Sequence, residues 1–92
     1  MHVTPLHSAV AGDHRAVARL LVERGADVNA RQSGGWTPLH SAAANGDEEL
    51  LLFLLDSGAD PRAAQDEGHT AADLARDRGH IALEALLQER IA

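Results

Sequence analysis

Ninety-two residues with 45% apolar side chains and a net charge of −6 suffice for one small globular domain. The absence of cysteine excludes both a disulfide framework and a thiolate metal site. The acidic balance argues against nucleic acid, whose phosphates need a basic face, and no apolar run approaches the roughly 18 residues of a membrane span. The amino terminus also lacks a signal-like apolar block, so a soluble, cytoplasmic protein is expected. Trp36 and Phe53 are the only aromatic residues. The core must therefore be assembled from Leu, Ala and Val in thin layers.

The first predicted element opens at Thr4-Pro5-Leu6-His7. Thr4 is a good helix N-cap, and Pro5 fits the first helical position, where its missing N–H costs nothing. A helix of two turns is expected through Ala11, and Gly12-Asp13 reverses the chain. A second helix is expected from Arg15 to Glu23, with Val17, Leu20 and Leu21 forming the i, i+3, i+4 stripe of a helix packed on one face. Gly25 ends it in the left-handed conformation. An extended excursion from Val28 to Trp36 then turns at Ser33-Gly34-Gly35.

The same plan returns 33 residues later without a gap. Thr37-Pro38-Leu39-His40-Ser41-Ala42 copies Thr4 to Ala9, and Gly58-Ala59-Asp60 copies Gly25-Ala26-Asp27. Asp47, Glu48 and Glu49 prime the next helix at the positive end of its dipole. That helix, Leu50 to Leu55, is apolar all round, and Leu52 is expected to face solvent by alignment with Arg19. A worn third copy begins at Thr70-Ala71-Ala72-Asp73. Asp13 aligns with Gly46 and Gly79, a position that needs positive φ, which Asp tolerates better than most residues. In the third copy Glu84 and Gln88 replace Leu51 and Leu55, which suits a face that meets water.

A fixed period of this length with a Thr-Pro-Leu-His opening is the pattern of the ankyrin repeat, and the chain resembles that family throughout. The resemblance implies an all-α fold of three stacked helix-turn-helix units joined by β-turn finger loops, a short right-handed solenoid. It would form a single domain over residues 1–92, with repeats at about 1–30, 31–63 and 64–92.

The resemblance further implies a non-enzymatic protein-binding module. In such families the turn tips and the exposed side of the first helix of each unit make a concave recognition surface. Here that surface maps to Arg31, Ser33, Trp36, Ala44 and Asn45, and then to Asp66, Glu67, His69, Asp77 and Arg78. Trp36 is its expected centre. Val3 and His69 hold its position in the other repeats, and a position that varies between matching repeats is not dictated by the fold. Trp and Arg dominate binding hot spots. The carboxylates of Asp66, Glu67 and Asp77 favour a partner with a basic patch. The alternative is a structural role, as a self-associating unit or as part of a larger scaffold. On that reading the contact is the uncapped side of the first repeat, where Leu6 is expected to be exposed.

His7 and His40 invite a metal or acid–base reading, but geometry opposes it. Equivalent residues of stacked helices lie roughly 10 Å apart and point the same way, whereas zinc needs nitrogens at about 2.0–2.1 Å from one centre. In the resembling family the Thr and His of the motif bond to each other and to backbone of the adjoining repeat, which here pairs Thr4 with His7 and Thr37 with His40. His2, His14, His69 and His80 are not spaced for a shared ligand; for His80 a solvated surface role is the expectation, with a local pair to Asp77 as the alternative. Ser8 and Ser41 directly follow histidines, and neighbours on a helix point apart, so no catalytic triad forms. No cofactor is expected. Asn29 stands where the resembling eukaryotic proteins can carry a hydroxylated Asn; a turn-stabilising role is the expectation for it.

Overall fold

The computed structural model describes residues 3–91, so the expectations that touch Met1 and His2 lie outside the described residues. Among the described residues six α-helices follow in order: α1 Pro5–Ala11, α2 Arg15–Glu23, α3 Pro38–Asn45, α4 Glu48–Asp56, α5 Ala71–Asp77 and α6 Ile81–Ile91, with one short 3-10 turn at Ser33–Gly35. Among the described residues the only β feature is a single bridge between Ala64 and Thr70. The fold is all-α, and α1 and α2 have the predicted bounds.

Three threonines begin α1, α3 and α5 in nearly one backbone setting. Their φ/ψ values are −86/162 at Thr4, −98/166 at Thr37 and −87/172 at Thr70. Each hydroxyl accepts the N–H of the third helical residue, whose own side chain accepts the threonine N–H in return. Two otherwise orphaned donors are satisfied, which lets helices of only two turns persist. The reversals between helices also match, with φ of 59° at Asp13, 73° at Gly46 and 80° at Gly79. Asp13 therefore carries the backbone strain that glycine avoids in the later copies.

Helices α1, α3 and α5 form an inner row, and α2, α4 and α6 an outer one. α1 packs on α2 and α3, α3 on α4 and α5, and α5 on α6, while no two outer helices approach as closely. Side-chain size explains the difference. The inner row meets through Ala9, Ala42, Ala43, Ala71 and Ala75, whereas Leu50, Leu51, Leu54, Leu83 and Leu87 fill the outer space, all of them buried. Short side chains inside and long ones outside fan the layers and leave the inner side concave.

The first helix pair departs from expectation. Of the α2 stripe only Leu21 packs against the core; Val17 is 51% exposed and Leu20 48%. The counterparts of Leu20, Phe53 and Leu86, are themselves only half-buried, but those of Val17 show the reason for its exposure. Leu50 at 0% and Leu83 at 4% pack back onto the preceding helix pair, and the described chain has none before α2. Leu6, expected to be exposed, is buried among its own pair, lining a cleft with Leu21 and Ala26. The uncapped apolar surface thus belongs to α2, not to Leu6. In α4, Leu52 is half-buried, like the Arg19 it aligns with, rather than fully solvent-facing. At the other end Glu84 is half-buried beside Arg76, and Gln88 is exposed, as a polar outer face requires.

Candidate binding surface

Two projecting turns and the ends of the inner helices shape the concave side. Each turn is cut to one pattern. Gln32 N–H donates to Trp36 O at 2.9 Å and Gly35 N–H to Gln32 O at 2.9 Å; Gln65 N–H donates to His69 O at 2.9 Å and Gly68 N–H to Gln65 O at 2.8 Å. The turns lie edge to edge, joined by Asp66 N–H to Gly34 O at 2.9 Å. At Gly35, whose φ is 78°, a Cβ would stand 2.5 Å from the Asp66 carboxylate, so only glycine admits this approach.

Histidines hold the turns to the helices. His7 Nε2 lies 2.8 Å from Ala30 O and 3.2 Å from Trp36 O, and His40 Nε2 lies 3.0 Å from Ala63 O. A carbonyl only accepts, so each Nε2 carries the ring proton and each Nδ1 is left to accept. Thr4 Oγ1 at 2.8 Å and Thr37 Oγ1 at 2.8 Å supply the matching donors, together with the threonine N–H groups. Both nitrogens of both rings are thereby engaged in the fold. Asp73, the third member, accepts Thr70 N–H at 3.0 Å but has nothing to donate. That bond comes first among the influences holding its carboxyl below the ordinary value. Burial pushes the His40 imidazole below its ordinary value.

Against this frame the predicted surface residues sort unevenly. Ser33, Asp66 and Glu67 are exposed at the turn tips, and Asp77 and Arg78 are exposed at the end of α5. Trp36 and His69 are half-buried. The indole meets the His40 ring edge-on, with centroids 5.9 Å apart and planes at 62°. Arg31 is exposed, but its guanidinium ties the first turn to the second through Gly35 O at 3.2 Å and Ala64 O at 2.8 Å. Asn45 is exposed yet donates to Ala11 O at 3.1 Å, so it also closes the end of α1 in the preceding unit. Ala44 is a correction: it is buried, because its methyl is short and α3 lies between two inner neighbours. Ser8, not among the expected surface residues, is exposed on the inner row, whereas its copy Ser41 is buried.

Cross-repeat polar links were not legible in advance, because their partners lie far apart in sequence. Arg15 reaches Asp47 at 2.9 Å, Glu49 at 3.2 Å and Asp13 at 3.4 Å. Burial of Asp47 raises its pKa, but its neighbours Asp13 and Arg15 and the Leu50 N–H outweigh that and hold it below the ordinary value. Asp13 is held above its ordinary value chiefly by the Asp47 carboxylate, to which only a protonated Asp13 can donate. Asn29 donates to Gly58 O at 3.0 Å and accepts Asp60 N–H at 2.8 Å, joining successive turns as a turn-stabilising residue should. His80 does not pair with Asp77. Its Nε2 lies 3.3 Å from Ala44 O in the preceding unit, where it seats over Gly46.

The family model described as ankyrin repeats (3 copies) matches residues 1–65 and again 32–92, together covering the chain. The protein belongs to the ankyrin-repeat family. No curated protein gives a match. Ankyrin repeats are in general protein–protein interaction modules and typically not enzymes. In this ankyrin protein the threonine–histidine pairs are thus structural, each ring bonded at both nitrogens within the fold.

Proposed function

We propose that this ankyrin protein binds a partner protein across its concave side, with Trp36 as the anchor. The observation that supports this most is how Trp36 is held. Its carbonyl is fixed by Gln32 and His7, and its ring rests on the edge of His40, yet part of the indole stays open to solvent. An aromatic already ordered before contact gives large apolar area at little entropic cost. Asp66 and Glu67 at the neighbouring tip favour a basic patch on the partner.

Photo-crosslinking residues at Ser33 and Glu67 test the reading, with Glu89 on the outer row as control. Adducts with another protein are expected from the two tip positions and not from Glu89. Trp36→Ala should weaken the captured complex about 30-fold, the effect of losing a 2 kcal/mol hot spot, with unchanged helicity. Equal adducts from Glu89, or capture indifferent to Trp36→Ala, would place recognition elsewhere. Unfolding by the same substitution would make Trp36 a core residue.

A further inference from the structure

The chain has two asparagines, Asn29 and Asn45, and only Asn45 is followed by glycine. An Asn-Gly pair is chemically labile, because a glycine nitrogen with no Cβ beside it reaches the Asn side-chain carbon unhindered. Attack forms a C–N bond to that carbon and expels the side-chain nitrogen as ammonia, which takes up the glycine amide proton. Water then opens the resulting succinimide at either carbonyl, leaving aspartate or isoaspartate. Neither oxidant nor reductant is needed.

In the folded chain the groups of that step are held. Asn45 is the last residue of α3, and Gly46 follows it at φ 73° and ψ 24°. The Gly46 N–H, whose nitrogen is the nucleophile, donates to Ala42 O and Ala43 O. The Asn45 side-chain nitrogen donates across to α1, to Ala11 O at 3.1 Å and Val10 O at 3.4 Å. The product has no place in this arrangement. A carbonyl oxygen only accepts, and so does an ionised carboxylate, so both bonds to α1 are lost. The new charge lies at the negative end of the α1 dipole. It also joins the Asp13 and Asp47 carboxylates in one cleft. Arg15, which lines the same cleft, is already divided among Asp13, Asp47 and Glu49.

We propose that Asn45 is a deamidation site gated by the fold: it reacts only when the end of α3 releases α1, and its product then holds the two units apart. Conversion runs one way. The ammonia is lost, and the closed form that suppresses the reaction is itself weakened by the product.

The test is peptide mapping by mass spectrometry of the whole chain, aged at mildly alkaline pH both folded and unfolded in urea. Conversion at Asn45 should be about a hundredfold slower in the folded chain, the suppression that a local opening equilibrium imposes. Urea below the unfolding midpoint should speed it, because the opened form exposes more surface. Asn29, whose neighbour Ala30 carries a Cβ, should lag behind Asn45 in the unfolded chain. Asn45→Asp supplies one product directly. Hydrogen exchange in it should quicken about tenfold at Gly12, Asp13 and His14, whose N–H groups close α1, and stay unchanged at Glu84. Any of four results overturns the proposal: equal rates folded and unfolded, a folded chain that never converts, exchange at the end of α1 indifferent to Asn45→Asp, or exchange quickened equally at Glu84. The rate comparison uses the unsubstituted chain, so it decides even if Asn45→Asp fails to fold.

Discussion

Replacing His40 with Ala should cost about 3–5 kcal/mol in urea unfolding, a large share of the roughly 5–14 kcal/mol a chain of this length can hold. The ring is buried and spans three groups: Thr37 N–H at 3.0 Å, Thr37 Oγ1 at 2.8 Å and Ala63 O at 3.0 Å. Removing it leaves buried donors and acceptors with neither partner nor water, and each such orphan costs about 1–3 kcal/mol. The pH dependence carries the same signature. Burial sets the folded pKa of His40 below its ordinary 6.5, so the folded state binds fewer protons than the unfolded one as the pH falls past that value. Its contribution is complete above about 6.5 and is lost as the pH drops through the depressed folded value. In His40→Ala that part of the acid-side slope should vanish. A cost under about 1 kcal/mol would mean that the ring bridges nothing of consequence.

The second large effect separates two residues at one repeat position. Leu50→Ala should lose about 3–5 kcal/mol, since Leu50 is fully buried between helix pairs and truncation leaves a cavity. Val17→Ala, one period earlier, should lose under about 0.5 kcal/mol in the monomer, because Val17 is already half in water. Identical sequence patterns thus give unlike energies, and only the presence of a preceding layer distinguishes them. Equal costs at the two sites would show that burial here does not come from stacking.

The elements most legible in the sequence are those whose cause is local. Thr4-Pro5 and Thr37-Pro38 specify helix starts by capping, Gly25 and Gly58 specify stops by their φ of 97° and 101°, and the 33-residue period carries the layers. The positive φ of Asp13 was legible for the same reason, since two glycines share its position. Errors fell where exposure is set by neighbouring units. Ala44 reads as a surface residue until α1 and α5 flank it; Leu6 is a different case, buried by α2 of its own unit. His80 had an acidic residue three places back, but a carbonyl of the preceding unit was nearer. Asn45 and Arg31 are exposed as expected, while their bonds to other repeats were invisible to local spacing.

What everything above requires is that a histidine in one unit grips the turn leading to the next. Nitrogen-15 NMR of the imidazoles at neutral pH measures this directly, through the position of the ring proton. His7 and His40 should both show a single neutral tautomer protonated at Nε2, donating to Ala30 O and Ala63 O. Rings protonated at Nδ1, or exchanging freely between tautomers, would mean that those bonds do not exist and that the layers are not joined in this way.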